Sequence, residues 1–265
     1  MKLYVHAISS FRSDREILDI KKELKQKYKV DIRRKEEFIF AGLLGAMRLK
    51  ENISFLEDSE LYITSGYGNI EILSKMNNYI LEEGDNIKLF DFINMLGNTT
   101  NFYVAKALDI KGKSIFCISD EFTYFHMLIT LYVSLLKRNN DAIVGAIDVV
   151  PKNPEVIKRV ANIDNDIDVI TSVMFQKMSL NPINALCCLE FDTKFYTFEE
   201  IQEYIQMTSL KIYTSMRCQE IQRQTKSYFE TDISCIVNDS ILNKEDCCYI
   251  ECYNSRYKIL KIMSQ

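Results

Sequence analysis

The stretch that decides the fold begins Phe92-Ile-Asn-Met-Leu-Gly-Asn-Thr-Thr-Asn101 and continues through Val104-Ala-Lys-Ala-Leu-Asp-Ile-Lys-Gly112. It runs on as Ser114-Ile-Phe-Cys-Ile-Ser-Asp-Glu-Phe122, and a long apolar segment then leads to Gly145-Ala-Ile-Asp148. Asn94 to Asn98 has turn chemistry, and Thr99 to Leu108 reads as a helix closed by Asp109 to Gly112. Ser114 to Ile118 and Ala142 to Val149 are short, almost wholly apolar runs, as buried strands are. Phe122 to Leu136, between them, is long enough for a buried helix. Apolar strands alternating with helices predict an α/β fold whose mostly parallel sheet is covered on both faces.

Working outward, Lys2 to Ser10 reads as an opening strand, and Arg12 to Tyr28 as an amphipathic helix with Ile17, Leu18, Ile20 and Leu24 on one face. Phe38 to Lys50 is a second helix. Leu61-Tyr-Ile-Thr-Ser65 is a strand that ends in Gly66-Tyr-Gly68, and a helix from about Asn69 ends near Gly84-Asp85. Beyond Pro154 the pattern weakens. Ala185 to Phe191 reads as a strand and Phe198 to Arg223 carries a helical period. Ile233-Ser-Cys-Ile-Val237 and Cys247 to Cys252 read as late strands, leaving residues 190–265 without a defined arrangement.

Composition narrows the function classes. The 265 residues are 47% hydrophobic and include 15 Phe and 15 Tyr, enough to build a large core and to exclude disorder. The formal net charge is −4, which does not suit a polyanionic partner; the lysines from Lys21 to Lys29 alternate with acids as on a solvated helix face. The apolar stretch Phe125 to Leu136 is far shorter than the ~20 residues that span a bilayer. The reading is therefore a cytoplasmic protein with no membrane and no nucleic-acid partner. Eight cysteines occur without a Cys-x-x-Cys pair, and His6 and His126 are the two histidines. Zinc ligand spacing is absent, so no metal or cofactor is expected and the thiols read as free, buried and apolar in behaviour.

These motifs, in this order, resemble the N-terminal half of the β-ketoacyl synthases. That family has an Asn-rich turn, a helix ending in a Lys-Gly-Pro step, a strand into Ser-Thr-Ala-Cys, a long helix and a Gly-Gly-x-Asp/Glu strand end. Tyr62 to Gly68 is similar to the family's earlier strand and glycine turn, and Ile183 to Glu190 to a later strand. Lys113 and Ala146 depart from the pattern. The resemblance implies a thiolase-like layered α-β-α-β-α architecture, with residues 1–150 as the ketosynthase-like half and 151–265 as a shortened C-terminal half on the same core.

In that family a Cys at the start of the buried helix is the nucleophile, activated by the helix N-terminus. With Ser119 on the family's serine, the nucleophile position here is Phe122, which neither ionises nor attacks. After His126 the chain has no histidine, so the family's two C-terminal catalytic histidines are missing as well. No catalytic residue is therefore assigned.

The resemblance implies a non-catalytic partner of an active β-ketoacyl synthase, similar to the chain-length factors of type II polyketide and aryl polyene systems, served by an acyl carrier protein. Dimers of the family form through the strand before the nucleophile, which puts Ser114, Phe116 and Ile118 at the interface. Phe122, Phe125 and His126, with Thr99 and Thr100, would border or plug the substrate tunnel. The alternative is a stand-alone thiolase-like scaffold that holds an acyl chain or acyl carrier. Other candidates have plainer readings. Cys117 reads as a buried strand thiol and His126 as a core histidine with a satisfied hydrogen bond. Asp120 and Glu121 read as helix-start acids, Ser119 lacks a convincing His partner, and Gly66-Tyr-Gly68 is a structural turn rather than a phosphate cradle.

Overall fold

The computed structural model describes all residues except 84–85, 120, 139, 162–167, 216, 219–220, 222–226 and 229–230. The expected helix end at Gly84-Asp85, Asp120, and Arg223 therefore lie outside the described residues. The first strand, β1 (Lys2–Arg12), alternates buried and open positions. It runs through Arg12, where the sequence pattern predicts a helix. Pairing of Arg12 with Ser172 holds the chain extended, and α1 (Ile20–Gln26) starts only where Asp19 accepts a hydrogen bond from the Lys22 N–H at 3.0 Å. Next come α2 (Glu37–Asn52), β2 (Glu60–Thr64) and α3 (Ile70–Asn78), which passes into a π-helical turn over Tyr79–Glu83. Leu96 separates α4 (Leu89–Met95) from α5 (Gly97–Leu108), so the expected turn contracts to one residue. Asp109, in the left-handed region at φ +59°, closes α5.

The next elements are β3 (Ser114–Cys117), α6 (Thr123–Arg138), β4 (Ala142–Asp148), α7 (Glu155–Ala161) and β5 (Asp168–Val169), followed by β6 (Ser172–Ser179) and β7 (Cys187–Glu190). The rest are α8 (Phe198–Met207), β8 (Lys211–Thr214), β9 (Ser227–Tyr228), α9 (Asp232–Asn243), β10 (Cys247–Tyr253) and β11 (Arg256–Ser264). A reciprocal Thr197–Glu200 capping box starts α8. Ile233 to Val237, expected as a strand, lies inside α9. Ile233, Cys235 and Val237 are buried there, where α9 packs on β1, β6, β10 and β11.

Nine strands form one mixed sheet in the order β3-β2-β4-β6-β1-β7-β11-β10-β8. Parallel pairing is confined to β3–β2–β4 and to β8–β10, so the sheet is less parallel than the apolar runs imply. The reason is β6, a strand the sequence pattern does not reveal, which inserts antiparallel between β4 and β1, together with the β10–β11 hairpin. The core has three parts. On one face of the N-terminal strands α2 packs with Val104 and Leu108 of α5, burying Leu61, Ile143 and Phe175. Gly45 of α2 and Gly145 of β4 both press on the Phe175 ring, and a Cβ at either would collide with it. On the opposite face α6 and α9 share one cluster with strands from both ends of the sheet, among them Tyr62, Met174, Leu189, Tyr249 and Leu260. Beyond the C-terminal strands Ile201 of α8 covers Cys248, Ile250 and Ile259. The two ends of this one sheet thus serve as the two β layers of an α-β-α-β-α fold, with α6 and α9 between them, α2 and α5 on one outside and α8 on the other. No described helix is long and apolar enough to cross a membrane.

Candidate functional site

Phe122 occupies the junction between β3 and α6. Its carbonyl accepts the first helical hydrogen bond, from the His126 N–H at 2.9 Å, and its own backbone sits at φ +49°. A bulky L-residue avoids the left-handed region, so the surrounding contacts must hold it there. The segment before it is tied down locally: the Glu121 N–H reaches Ser119 Oγ at 3.4 Å, and Thr123 Oγ1 donates to the Ser119 carbonyl at 2.8 Å. Ser119 is thus a turn-forming residue.

The Phe122 side chain is fully buried. Its ring centroid lies 6.5 Å from Phe125, 6.4 Å from His126 and 5.4 Å from Phe195. Phe195 comes from the loop after β7 and is itself covered by cations from β11. The Arg256 guanidinium lies 5.0 Å from its centroid and Lys258 Nζ 4.3 Å. Arg256 also pairs with Glu121 at 2.6 Å, which fastens the β10–β11 turn to the start of α6. Asn254 and Ser255, both at positive φ, make that turn. Lys258 is 2% exposed and donates to the backbone carbonyls of Lys194 and Asp192 at 3.1 and 3.4 Å. Burial lowers its pKa, against the pull of Asp192 and Glu251.

His126 is exposed, contrary to the core histidine expected, because it lies on the outward side of α6. Partial burial and then the Lys258 charge push its pKa down, opposed by Glu121. Phe122, Phe125 and His126 therefore come together as expected. Thr99 and Thr100 belong to another contact: Thr99 Oγ1 donates to the Ile93 carbonyl at 2.6 Å, and Thr100 is buried against Gly42 of α2. Ser114 accepts from Asn101 Nδ2 at 3.0 Å, and the Phe116 ring lies against Gly97 and 6.2 Å from Phe38. Ile118, 51% exposed, lies just past the end of β3. β3 pairs with β2 alone among the described strands, so it is an edge strand, more open than the buried strand expected.

None of the thiols whose pKa direction is resolved has the depressed value a nucleophile needs. Burial pushes Cys187 and Cys235 up to about 12 and Cys247 and Cys248 to about 11, and raises Cys117 and Cys188. Cys218 is raised by hydrogen bonding with Cys252 and by burial. Among the described residues there is no cluster of three or more metal-ligating side chains.

Two buried polar hubs complete the picture: the sequence reads Asp148 only as the end of the Gly145-to-Asp148 motif, with no partner assigned, and does not single out Gln176. Asp148 accepts from Ser65 Oγ (3.2 Å), Gly66 N (3.0 Å), and Thr231 N and Oγ1 (2.8 and 2.6 Å). It locks the glycine turn after β2 to the start of α9, and burial raises its pKa against those bonds. Gly68 N donates to Ser65 Oγ at 2.9 Å, so the Gly66-Tyr-Gly68 segment is the structural turn expected. The second hub is Gln176 of β6, which accepts from Tyr124 Oη at 2.6 Å and donates to Asn238 Oδ1 at 2.7 Å, joining α6 to α9. A single Gln carries no motif, and the strand-end motif that holds Asp148 does not disclose its partners Ser65 and Thr231.

The layers and the strained strand-to-helix junction together define the class: the chain has the thiolase-like fold of the ketosynthases. Among solved structures it is similar to the ishigamide ketosynthase/chain length factor, with a TM-score of 0.66 at 7% identity over 93% of this chain and 85% of that one. A type II PKS acyl-carrier protein in complex with its ketosynthase bound to the hexaketide gives 0.68 at 8% identity, over 100% and 99% of the two chains. A ketosynthase in complex with its chain length factor from Xenorhabdus doucetiae gives 0.58 at 9%, over 86% and 79%. At such identities the likeness establishes fold alone. No family model matches the chain, and no curated protein matches it in sequence.

Proposed function

We propose that this chain is a ketosynthase-like subunit without acyl-transfer chemistry of its own. It pairs with an active β-ketoacyl synthase and helps to set chain length in polyketide, polyene or fatty-acid-like biosynthesis, with substrate delivered on an acyl carrier protein. In this reading residues 1–150 are the ketosynthase-like half and 151–265 the shorter half. The observation that carries it is Phe122: an unreactive ring, wholly buried, held at positive φ at the start of α6. A phenyl ring at that position can neither ionise nor attack, and it fills space. The raised thiols and the absence of a histidine beyond His126 support the same reading. The edge position of β3 supports the pairing, since an unpaired strand offers a row of backbone donors and acceptors to a partner.

Co-expression with an active type II β-ketoacyl synthase tests the proposal. A stable complex of the two chains is the expected result. A monomer or homodimer that ignores the ketosynthase refutes the pairing, and a homodimer that retains acyl carrier protein points to the stand-alone scaffold.

A further inference from the structure

A cleft of about 590 Å³ lies between the loop before α2 and the helices α2, α4 and α5. Four cations line it, Arg33, Arg34, Lys35 and Lys106, against one carboxylate, Asp31. That carboxylate is already committed. The Arg33 backbone N–H and Nε donate to Asp31 Oδ1 at 3.0 Å each, and Nη2 donates to Oδ2 at 2.9 Å. Among the described residues no carboxylate forms an ion pair with Arg34, Lys35 or Lys106. Nearby surface lysines do find one: Lys21 pairs with Glu37, Lys27 with Glu51 and Lys111 with Glu57. A concentration of unmatched positive charge in a chain of net charge −4 marks this cleft out.

The cations are also held in place. Arg34 takes the left-handed conformation at φ +61°, its carbonyl accepts from the buried Asn94 Nδ2 at 3.2 Å, and its guanidinium lies 4.7 Å from the Phe90 centroid. Lys35 Nζ donates to the Asp31 carbonyl at 2.7 Å and lies 4.4 Å from the Tyr103 centroid. Side chains fixed before a ligand arrives lose less freedom on binding it. The remaining wall is apolar, with Leu43 at its base. A bare inorganic anion would leave that wall unused, whereas a molecule with a phosphate end and a planar or apolar body would use both. The size is that of a small-molecule site, and guanidinium planes stack on rings as well as binding phosphate. Burial lowers the pKa of Lys35, with Lys106 and Arg33 adding to this and Asp31 opposing, so an anion beside it would be welcome.

We propose that this cleft binds an organic phosphate of the nucleotide class, its phosphates on Arg34, Lys35 and Lys106 and its body against the apolar wall. The assignment is independent of the chain-length role. The test is calorimetric titration of the full chain with ATP, and separately with inorganic pyrophosphate, at ~50 mM salt so that screening is weak. The same titrations follow for Lys35→Gln and for Lys106→Gln, the latter on an exposed side chain whose loss leaves the fold intact. Saturable 1:1 binding of ATP is expected, weakened about tenfold in each variant, with pyrophosphate about tenfold weaker than ATP. Failure of ATP to saturate, ATP affinity in both variants equal to that of the unaltered chain, or pyrophosphate as tight as ATP would overturn the assignment.

Discussion

The ring of Phe122 lies 5.4 Å from that of Phe195, and this contact joins the start of α6 to the loop that follows β7. Arg256 and Lys258 lie over the Phe195 ring, so a residue in the first half of the chain rests on a cluster of three from the second. The junction is both strained and packed, and the two effects can be separated by mutation. Phe122→Ala removes a fully buried ring and should lower stability by about 3–5 kcal/mol. Phe122→Gly removes the same ring yet relieves the positive φ, so it should be more stable than the Ala variant by about 1 kcal/mol, the reverse of the order inside a helix. Urea denaturation of the two variants decides this; an Ala variant as stable as the Gly variant would show that Phe122 is not held in the left-handed region.

The thiols give a second expectation. Cys117 is half-buried and the other seven cysteines are buried. Buried as they are, they should react slowly with a thiol-directed disulfide reagent at pH 7, Cys117 first and the rest only on unfolding. An acyl-thioester or mechanism-based ketosynthase probe should leave all eight unlabelled. Rapid, selective labelling of one cysteine would sink the non-catalytic reading.

Ile118 tests the pairing edge. Because its side chain is exposed, Ile118→Asp should change monomer stability by no more than about 0.5 kcal/mol. If β3 is the docking strand, recovery of the co-expressed ketosynthase should fall about tenfold, since a charge would be driven into a desolvated contact. Undiminished recovery would move the interface elsewhere.

Asp148 supplies a pH dependence. Its pKa is raised in the fold, so the folded state binds a proton more readily than the unfolded chain, and the contribution of Asp148 is full below pH ~4 and declines as pH rises through the folded value. Asn cannot titrate, and its amide would turn N–H groups toward donors from Thr231. Asp148→Asn should therefore be destabilised at every pH, by about 1.5–3 kcal/mol. The wild-type advantage should shrink between pH 4 and pH 7; an advantage that grows over that interval would mean the carboxylate is stabilised when charged.

Much of the first half was legible because its signals are local. The run Ala142 to Asp148 is buried at every position, Phe38 to Leu49 turns a broad apolar face inward, and both read as they fold. The segments that misled owe their structure to distant partners. Arg12 is extended because β6, 160 residues later, pairs with it. β6 itself mixes Gln176 and Lys177 into an apolar strand, and those residues make sense only once Tyr124, Asn238 and Asp141 stand opposite. Ile233-Ser-Cys-Ile-Val has small residues that suit either period, and packing on β1 and β6 decides for helix. At the site, the meeting of Phe122 with His126 followed from helix spacing, whereas Phe195, Arg256 and Lys258 converge on it only through the folded hairpin. The exposure of His126 depends on that same tertiary arrangement.

The position of β1 has a consequence for biosynthesis of the chain itself. Its first residues, Lys2 to Val5, bond to β7 on one side, and Tyr4 to Arg12 bond to β6 on the other. On the ribosome this strand must wait, unpaired and apolar on one face, until residues 172–190 have emerged. At ~5–20 residues per second that delay is of the order of ten seconds or more, long enough for a chaperone to be its first companion.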